Sequence, residues 1–560
     1  MAVSNAEESW RAHYAHPCAW DMAFAPQTMP EFFAASVAAH GERPLVDFIG
    51  RRYTYAAIAR EARAFAAGLQ AHGIARGERV GLYLPNVPIY LAAYYGAMIA
   101  GATVVNFSPL YTVEELEAQV ADSGTRLLVT LDVAALLPNA LAVLAGSALE
   151  TLVVGSLAVQ LPWVKSLALR VLGRKALATI PKQPDVRRWK SMLGAAEPAP
   201  VALAAETDIA LIQYTGGTTG TPKGAMLSHQ NLTANARQVN AIDPRAGSRD
   251  VIVGVLPLFH VFANTCVLNR TVANGGCIAM LPRFDAGQAL KTLARVKATA
   301  MPGVPTMYQA LLDHPKLRAT DFSSLRVCIS GGAPLPASVK ERFEAAAHAR
   351  LVEGYGLTET AGVATTNPYE GDEHAGTIGH PLPATRLRLL DKEDPDKDAP
   401  AGEPGELSIQ GPQVMQGYWN RPEAAASAFT IRDGERWLRT GDVAEIDANG
   451  YVRIVDRLKD MIAVGGFKVF PSQVESIVLA HPAVKEALVI GMPDAYRGEV
   501  PRAFVTLADG AEAGGPELAE WLNARVGKHE RVDQVVVRES LPKTMIGKLD
   551  RKALRAEVGA

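Results

Sequence analysis

Cysteine is scarce in this chain of 560 residues. The four that occur, Cys18, Cys266, Cys277 and Cys328, are scattered and form no CxxC pair, which argues against a zinc site and a disulfide framework and fits a reducing cytosol. A continuous basic block is also missing and the formal net charge is −2, so nucleic acid is not expected as the main partner. The first residues carry acids and histidines and lack a basic start followed by an apolar core, so no signal peptide is expected and a cytoplasmic location is. Residues 80–113 contain no charged side chain. Pro85, Asn86, Pro88, Gly96, Gly101 and Asn106 nevertheless cut them into strand and helix lengths, which predicts buried α/β packing rather than a membrane span. No internal repeat and no long low-complexity tract occurs.

What is present is the composition of an ordinary globular protein, 48% hydrophobic and 20% charged, in a chain too long for one core. From 51 to 290, short apolar runs alternate with helix-length amphipathic stretches, the pattern of parallel sheets covered by helices. Three runs end in glycine loops, at 211–217, 327–332 and 351–356, and ligands gather where such strand ends converge. Beyond 391 a charged, proline-rich stretch leads into short β-like segments. After 456 the pattern becomes compact, with strands expected at 484–490, 502–507 and 532–538 and a helix at 517–526. The expected fold class is therefore α/β. A large N-terminal domain, 1–456, combines parallel-sheet α/β subdomains with a small β unit, and a small mobile α+β domain, 457–560, follows. Residues 163–175 mix Trp163, Val164, Leu167, Val171 and Leu172 with Lys165, Arg170, Arg174 and Lys175. That pattern reads either as a helix lying peripherally on the inner face of a membrane or as a surface helix packing its apolar side on the domain.

Residues 214–225 read YTGGTTGTPKGA, after a strand-like run at 209–213 and before a helix-like stretch. Glycines let backbone N–H groups converge, threonine hydroxyls add donors and Lys223 adds a mobile positive charge, a set suited to polyphosphate. The common loop GxxxxGK[ST] needs glycine directly before its lysine, whereas Lys223 follows Pro222 and precedes Gly224, so this is a phosphate loop of another kind. A Gly/Thr-rich turn that merely joins two elements is the plainer alternative; the density of donors weighs against it.

Six further segments follow in order: PLFH at 257–260, SGGAPL at 330–335, EGYGLTET at 353–360, TGD at 440–442, DRLKDMI at 456–462 and PKTMIGKLDR at 542–551. Their order and spacing resemble the adenylate-forming superfamily of acyl-CoA ligases, luciferases and nonribosomal adenylation domains, over nearly the whole chain. Residues 106–124 and 410–424 look most like bacterial fatty-acid–CoA ligases, which implies a medium- to long-chain acid, with aliphatic dicarboxylates as further candidate substrates. The resemblance implies two half-reactions: a carboxylic acid and ATP give acyl-AMP and pyrophosphate, and CoA then takes the acyl group as a thioester. It implies Mg2+ held by Glu359 and Thr218, β- and γ-phosphates held by Thr215, Gly216, Gly217, Thr218, Thr219, Gly220 and Lys223, and Tyr214 as a further cofactor-binding residue. Gly331, Gly332, Ala333, Gly354, Tyr355, Gly356 and Thr358 would line the nucleotide, Asp442 would bind its ribose, Arg457 its ribose or phosphate, and Gly465 and Gly466 would face the CoA channel. Lys548 would be the catalytic lysine of adenylation, with Glu359 and His260 as further catalytic groups and His260 gating the carboxylate channel. Lys459 would be the hinge. Position 465 is glycine where related ligases commonly carry a small polar residue. Partners would be the acid, ATP and CoA, with oligomeric state open between monomer and homodimer. An aryl-acid–CoA ligase, an acyl-AMP ligase and a non-catalytic ATP-binding module are the alternatives.

Overall fold

The computed structural model describes residues 11–215, 222–371, 374–465, 467–543 and 549–560. Two compact units emerge, and each is interleaved in sequence. The larger comprises Tyr14–Arg386 and Gln410–Ala428; the smaller comprises Met1–His13, Leu387–Ile409 and Phe429–Ala560. The chain thus passes between them at 13/14, 386/387, 409/410 and 428/429. By compactness the small β unit goes with the C-terminal residues rather than with those before 387. The 456/457 boundary is a different kind of division, a proposed point of turning.

The larger unit is α/β and contains two sheets. In one, Cys277–Met280, Val251–Gly254, Ala300–Gly303, Val327–Ser330 and Arg350–Tyr355 run parallel beside Pro44–Phe48, with antiparallel strands at both edges. In the other, Thr103–Asn106, Arg79–Leu82, Thr125–Leu131, Thr151–Gly155 and Val186–Arg188 lie parallel with Ile209–Thr215, and Lys223–Ser228 and Gly417–Tyr418 close one edge antiparallel. The uncharged stretch 80–113 folds as predicted: strand Arg79–Leu82, fully packed helix Pro88–Ile99 and strand Thr103–Asn106. Proline starts that helix, where its missing N–H costs nothing. Its buried tyrosines are kept satisfied by asparagines: Tyr94 Oη donates to Asn264 Oδ1 at 3.1 Å and Tyr95 Oη to Asn269 Oδ1 at 2.9 Å. No helix among the described residues is long and apolar enough to cross a membrane.

The smaller unit holds an antiparallel sheet of Arg386–Leu390, Gly405–Gln410, Glu435–Ile446, Phe429–Arg432 and Val452–Arg457. A second sheet pairs Val484–Asp494 with Gly498–Leu507 and adds Ile462–Val464, Phe467–Val469 and the parallel strand Val535–Val537. Helices Pro471–Leu479 and Gly515–Asn523 pack on it over a core that includes Val474, Val478, Leu518 and Leu522. The expected strands and helix of this region are all present, with ends shifted by a few residues.

Candidate active site

In the larger unit, strand Ile209–Thr215 and strand Lys223–Ser228 pair so that Thr215 stands opposite Lys223. The Gly/Thr loop therefore joins strand to strand, and the helix expected after it, His229–Ala241, begins only beyond Ser228. The expected helix is present, but the strand Lys223–Ser228 comes before it, so among the described residues no helix start follows the loop directly.

The chain then returns about 190 residues later to complete the edge. Gly417–Tyr418 pairs with Met226 and Ala225, and Trp419 N donates to Gly224 O at 2.8 Å. Gly224 has to be small here, since a Cβ would lie 2.7 Å from Ile212 Cγ2. Just upstream, Met415 N donates to the carbonyl of Glu359 at 2.8 Å, so this segment ties one sheet's hairpin to the turn that carries Glu359. Tyr418 completes the tie. Its hydroxyl donates to Glu359 Oε1 at 2.6 Å, and Lys223 Nζ sits 5.3 Å above the centre of its ring. Burial first, and the neighbouring Glu359 charge second, hold the Tyr418 phenol above its ordinary pKa, so it stays protonated and donates. Glu359 itself lies on the short turn Thr358–Thr360, half-buried, with one carboxylate oxygen fixed by Tyr418.

The parallel strands Val327–Ser330 and Arg350–Tyr355 end side by side, Ser330 opposite Glu353. Their following turns meet the start of helix Val261–Ala263: a Cβ on Gly331 would lie 3.1 Å from Phe262 Cζ, and Thr265 Oγ1 donates to Ala361 O at 2.6 Å. His260 is the N-cap of that helix, its Nδ1 accepting from Phe262 N at 3.3 Å, which orients the imidazole. Gly332 has φ +85°, a conformation that glycine adopts without strain. Gly356, expected to make room for a flat base, instead makes room for the protein's own backbone, since a Cβ there would lie 2.2 Å from Gly362 O.

In the smaller unit, Asp442 and Arg457 face each other across paired strands with Arg457 Nε 2.9 Å from Asp442 Oδ1. The turn before Asp442 is braced: Gly441 N donates to Glu406 Oε1 at 3.1 Å and Thr440 Oγ1 to Leu407 O at 2.7 Å. Lys459 stands in the turn Leu458–Asp460, where burial lowers its pKa below the ordinary lysine value. Next to it, Asp460 accepts from Arg551 Nη1 at 3.3 Å, and Arg551 Nη2 lies 2.6 Å from Glu475 Oε2.

Residues 33–419 match the family described as AMP-binding enzyme, and 473–548 match its C-terminal domain. The chain belongs to the AMP-binding enzymes. It is 37% identical over 557 residues, 98% of both chains, to a long-chain-fatty-acid–CoA ligase of Bacillus subtilis. It is also 37% identical over 511 residues to a feruloyl-CoA synthase of Amycolatopsis, covering 91% of this chain and 95% of that one. Among solved structures it resembles ATP-bound MatB from Rhodopseudomonas palustris, with a TM-score of 0.82 and 30% identity over 95% of this chain and 99% of that one.

Within this AMP-binding enzyme, the larger unit brings Thr215, Lys223 and Glu359 together through Tyr418, and brings Phe262, two residues after His260, against Gly331. Ala333, Tyr355 and Thr358 are half-buried on the same turns. Tyr214 is turned to another use: its hydroxyl donates to Asp122 Oδ2 at 2.6 Å, where Trp419 and Arg421 also attach, so its side chain braces the sheet edge. Gly465, at φ +56°, donates its N–H to Arg497 O at 2.8 Å. Gly216, Gly217, Thr218, Thr219, Gly220, Gly466 and Lys548 lie outside the described residues. Two functional candidates escaped the sequence reading, Tyr418 and Arg551. Tyr418 stood in the GYWNRPEA stretch already noted for its resemblance, but nothing local in sequence pairs it with a carboxylate 59 residues earlier.

Proposed function

We propose that the chain joins a medium- to long-chain fatty acid to CoA through an acyl-AMP intermediate, using ATP and Mg2+. The observation that carries this reading is the Lys223–Tyr418–Glu359 array beside the Gly/Thr loop, supported by the full-length similarity to the Bacillus subtilis ligase. In the first half-reaction a carboxylate oxygen bonds to the α-phosphorus and the bond from that phosphorus to the pyrophosphate oxygen breaks. In the second, the CoA sulfur, having lost its proton, bonds to the acyl carbon and AMP leaves.

Both steps bring anions together, so most of what the protein contributes is positive charge and position. Lys223 would hold the departing phosphates, with its side chain stretched over the Tyr418 ring. Asp442, held in place by the braced turn and by Arg457, would accept from ribose hydroxyls. Glu359 suits a hard divalent cation: it is a carboxylate oriented by a neutral hydroxyl whose ring lies under Lys223, and Thr218 would add an oxygen. Bound there, Mg2+ would neutralise phosphate charge. Lys459, in a short turn between two sheets, is proposed as the hinge about which the C-terminal residues turn between the half-reactions.

Tyr418→Phe keeps the ring under Lys223 and deletes the hydroxyl on Glu359. The loss of one hydrogen bond to a charged group predicts about a tenfold fall in kcat/KM for ATP. Titrating Mg2+ in steady-state assays should show a raised Mg2+ requirement with an unchanged Tm. An unchanged Mg2+ requirement would leave Tyr418 a merely structural role.

The feruloyl-CoA synthase relative supports an aryl acid as the second reading. A CoA-thioester assay across mono- and dicarboxylic acids of increasing length, with aromatic acids included, decides between them. Highest kcat/KM with a ring acid would overturn the fatty-acyl reading, and pyrophosphate release without thioester would overturn CoA ligation.

A further inference from the structure

The helix Trp163–Val171 has no buried residue. Trp163 is 79% exposed, Val171 61% and the following Leu172 87%, with Val164 and Leu167 also open to solvent. At about 100° per residue, Trp163, Val164, Leu167 and Val171 fall on one face of roughly 100°. The opposite side, Ser166 and Leu169, is half-buried. The apolar face therefore points away from the domain, which overturns the alternative in which it packs inward.

This helix is held in place at both ends. Tyr53 Oη donates to Gln160 O at 2.7 Å, Arg51 to the carbonyl of Leu161 at 3.2 Å, and Lys165 Nζ to Ile49 O at 3.0 Å. Beyond it, Ala134 N donates to Ala176 O at 2.9 Å and Ala178 N to Asp132 O at 3.0 Å. A fixed, exposed apolar ridge of this kind is costly in water unless something covers it.

Charge indicates what covers it. Between 156 and 190 the chain carries Lys165, Arg170, Arg174, Lys175, Lys182, Arg187, Arg188 and Lys190 against one acid, Asp185, in a protein of net charge −2. All eight cations are exposed. A second copy placed on this ridge by a twofold axis would set these cations against one another, and a helix of about 13 Å offers too little area for a stable dimer. An anionic lipid surface satisfies both features: cations meet phosphate headgroups while Trp163, Leu167 and Val171 enter the acyl boundary, with tryptophan at its preferred depth.

We propose that Trp163–Val171, with the basic segment after it, docks the protein on anionic membranes. The proposal goes beyond the catalytic reading and does not depend on which acid the site takes. The test is cosedimentation of the full-length protein with vesicles of phosphatidylcholine alone and of phosphatidylcholine with phosphatidylglycerol. Binding should favour the anionic vesicles and weaken with salt. Both the triple variant Trp163→Ser/Leu167→Ser/Val171→Ser and the triple variant Arg170→Glu/Arg174→Glu/Lys175→Glu should lose at least about tenfold in vesicle affinity. Their Tm and their thioester formation from a short water-soluble acid should match wild type. Equal binding to both vesicle types, undiminished binding by either variant, or a lipid-free dimer that the serine variant dissolves would each overturn it.

Discussion

Lys548→Ala is expected to lower acyl-AMP formation at least ~100-fold, the scale of losing one strong electrostatic contact in a transition state, while thioester formation from supplied acyl-AMP continues near the wild-type rate. The reasoning is electrostatic. A carboxylate is an anion attacking a phosphorus surrounded by anionic oxygens, and a lysine point charge between them is worth most as the new bond forms. Once acyl-AMP exists that repulsion is gone, and the thiol attacks a neutral carbonyl. The described residues on either side of the lysine pair with one another: Lys543 and Leu549 form an antiparallel bridge, and Asp550 N donates to Pro542 O at 2.9 Å. ATP–pyrophosphate exchange measures the first step and CoA consumption from acyl-AMP the second. Equal losses in both would remove Lys548 from adenylation.

Arg551→Met should destabilise the C-terminal residues by about 3–5 kcal/mol, because breaking a buried ion pair strands its partners. Arg551 is well enclosed and bonds Glu475 through both Nε, at 3.1 Å, and Nη2, at 2.6 Å, with Ser472 Oγ at 3.1 Å from Nη2. Burial holds the carboxyls of Glu475 and Asp456 above their ordinary pKa even with the guanidinium present. Removing the guanidinium raises them further. A group whose folded pKa exceeds its unfolded one contributes stability below the unfolded value and loses it as pH rises through the folded value. The variant's deficit should therefore be smallest in acid, within or below the ordinary carboxylate range, and grow towards neutral pH. Thermal melts of wild type and variant across that range provide the check. A deficit independent of pH would show that lost packing, not stranded charge, is the cause.

The sequence made some of this legible and hid the rest for physical reasons. The Gly/Thr loop announced itself by composition, since few other uses gather that many donors around a lysine. The helix expected after it is present as His229–Ala241, but the strand Lys223–Ser228 before that helix went unread, because so short a run does not declare itself a strand until a partner is known. The partner is Ile209–Thr215 on one side and Gly417–Tyr418 on the other, the latter about 190 residues away. The same return explains why compactness divides the chain differently from its composition: charged, proline-rich texture marks 391 onwards, but Gln410–Ala428 goes back to the larger unit. Tyr214 was assigned by its place in a motif, and its hydroxyl is occupied by Asp122 on helix Val113–Ser123. The amphipathic pattern at 163–175 was visible, whereas the direction its apolar side faces was not, because periodicity has no outside or inside until the neighbours are built.

The interleaving of the two units limits which pieces of the chain can swivel freely. A body joined to the rest by one covalent strand can rotate about a single turn, but the sheet built from Leu387–Ile409 and Phe429–Arg457 is threaded by the crossings at 386/387, 409/410 and 428/429. Turning that sheet would require several connections to twist in concert. The residues after Lys459 carry no such restraint in their connectivity, so a gene cut in two near codon 457 would divide the polypeptide where only one strand joins the pieces.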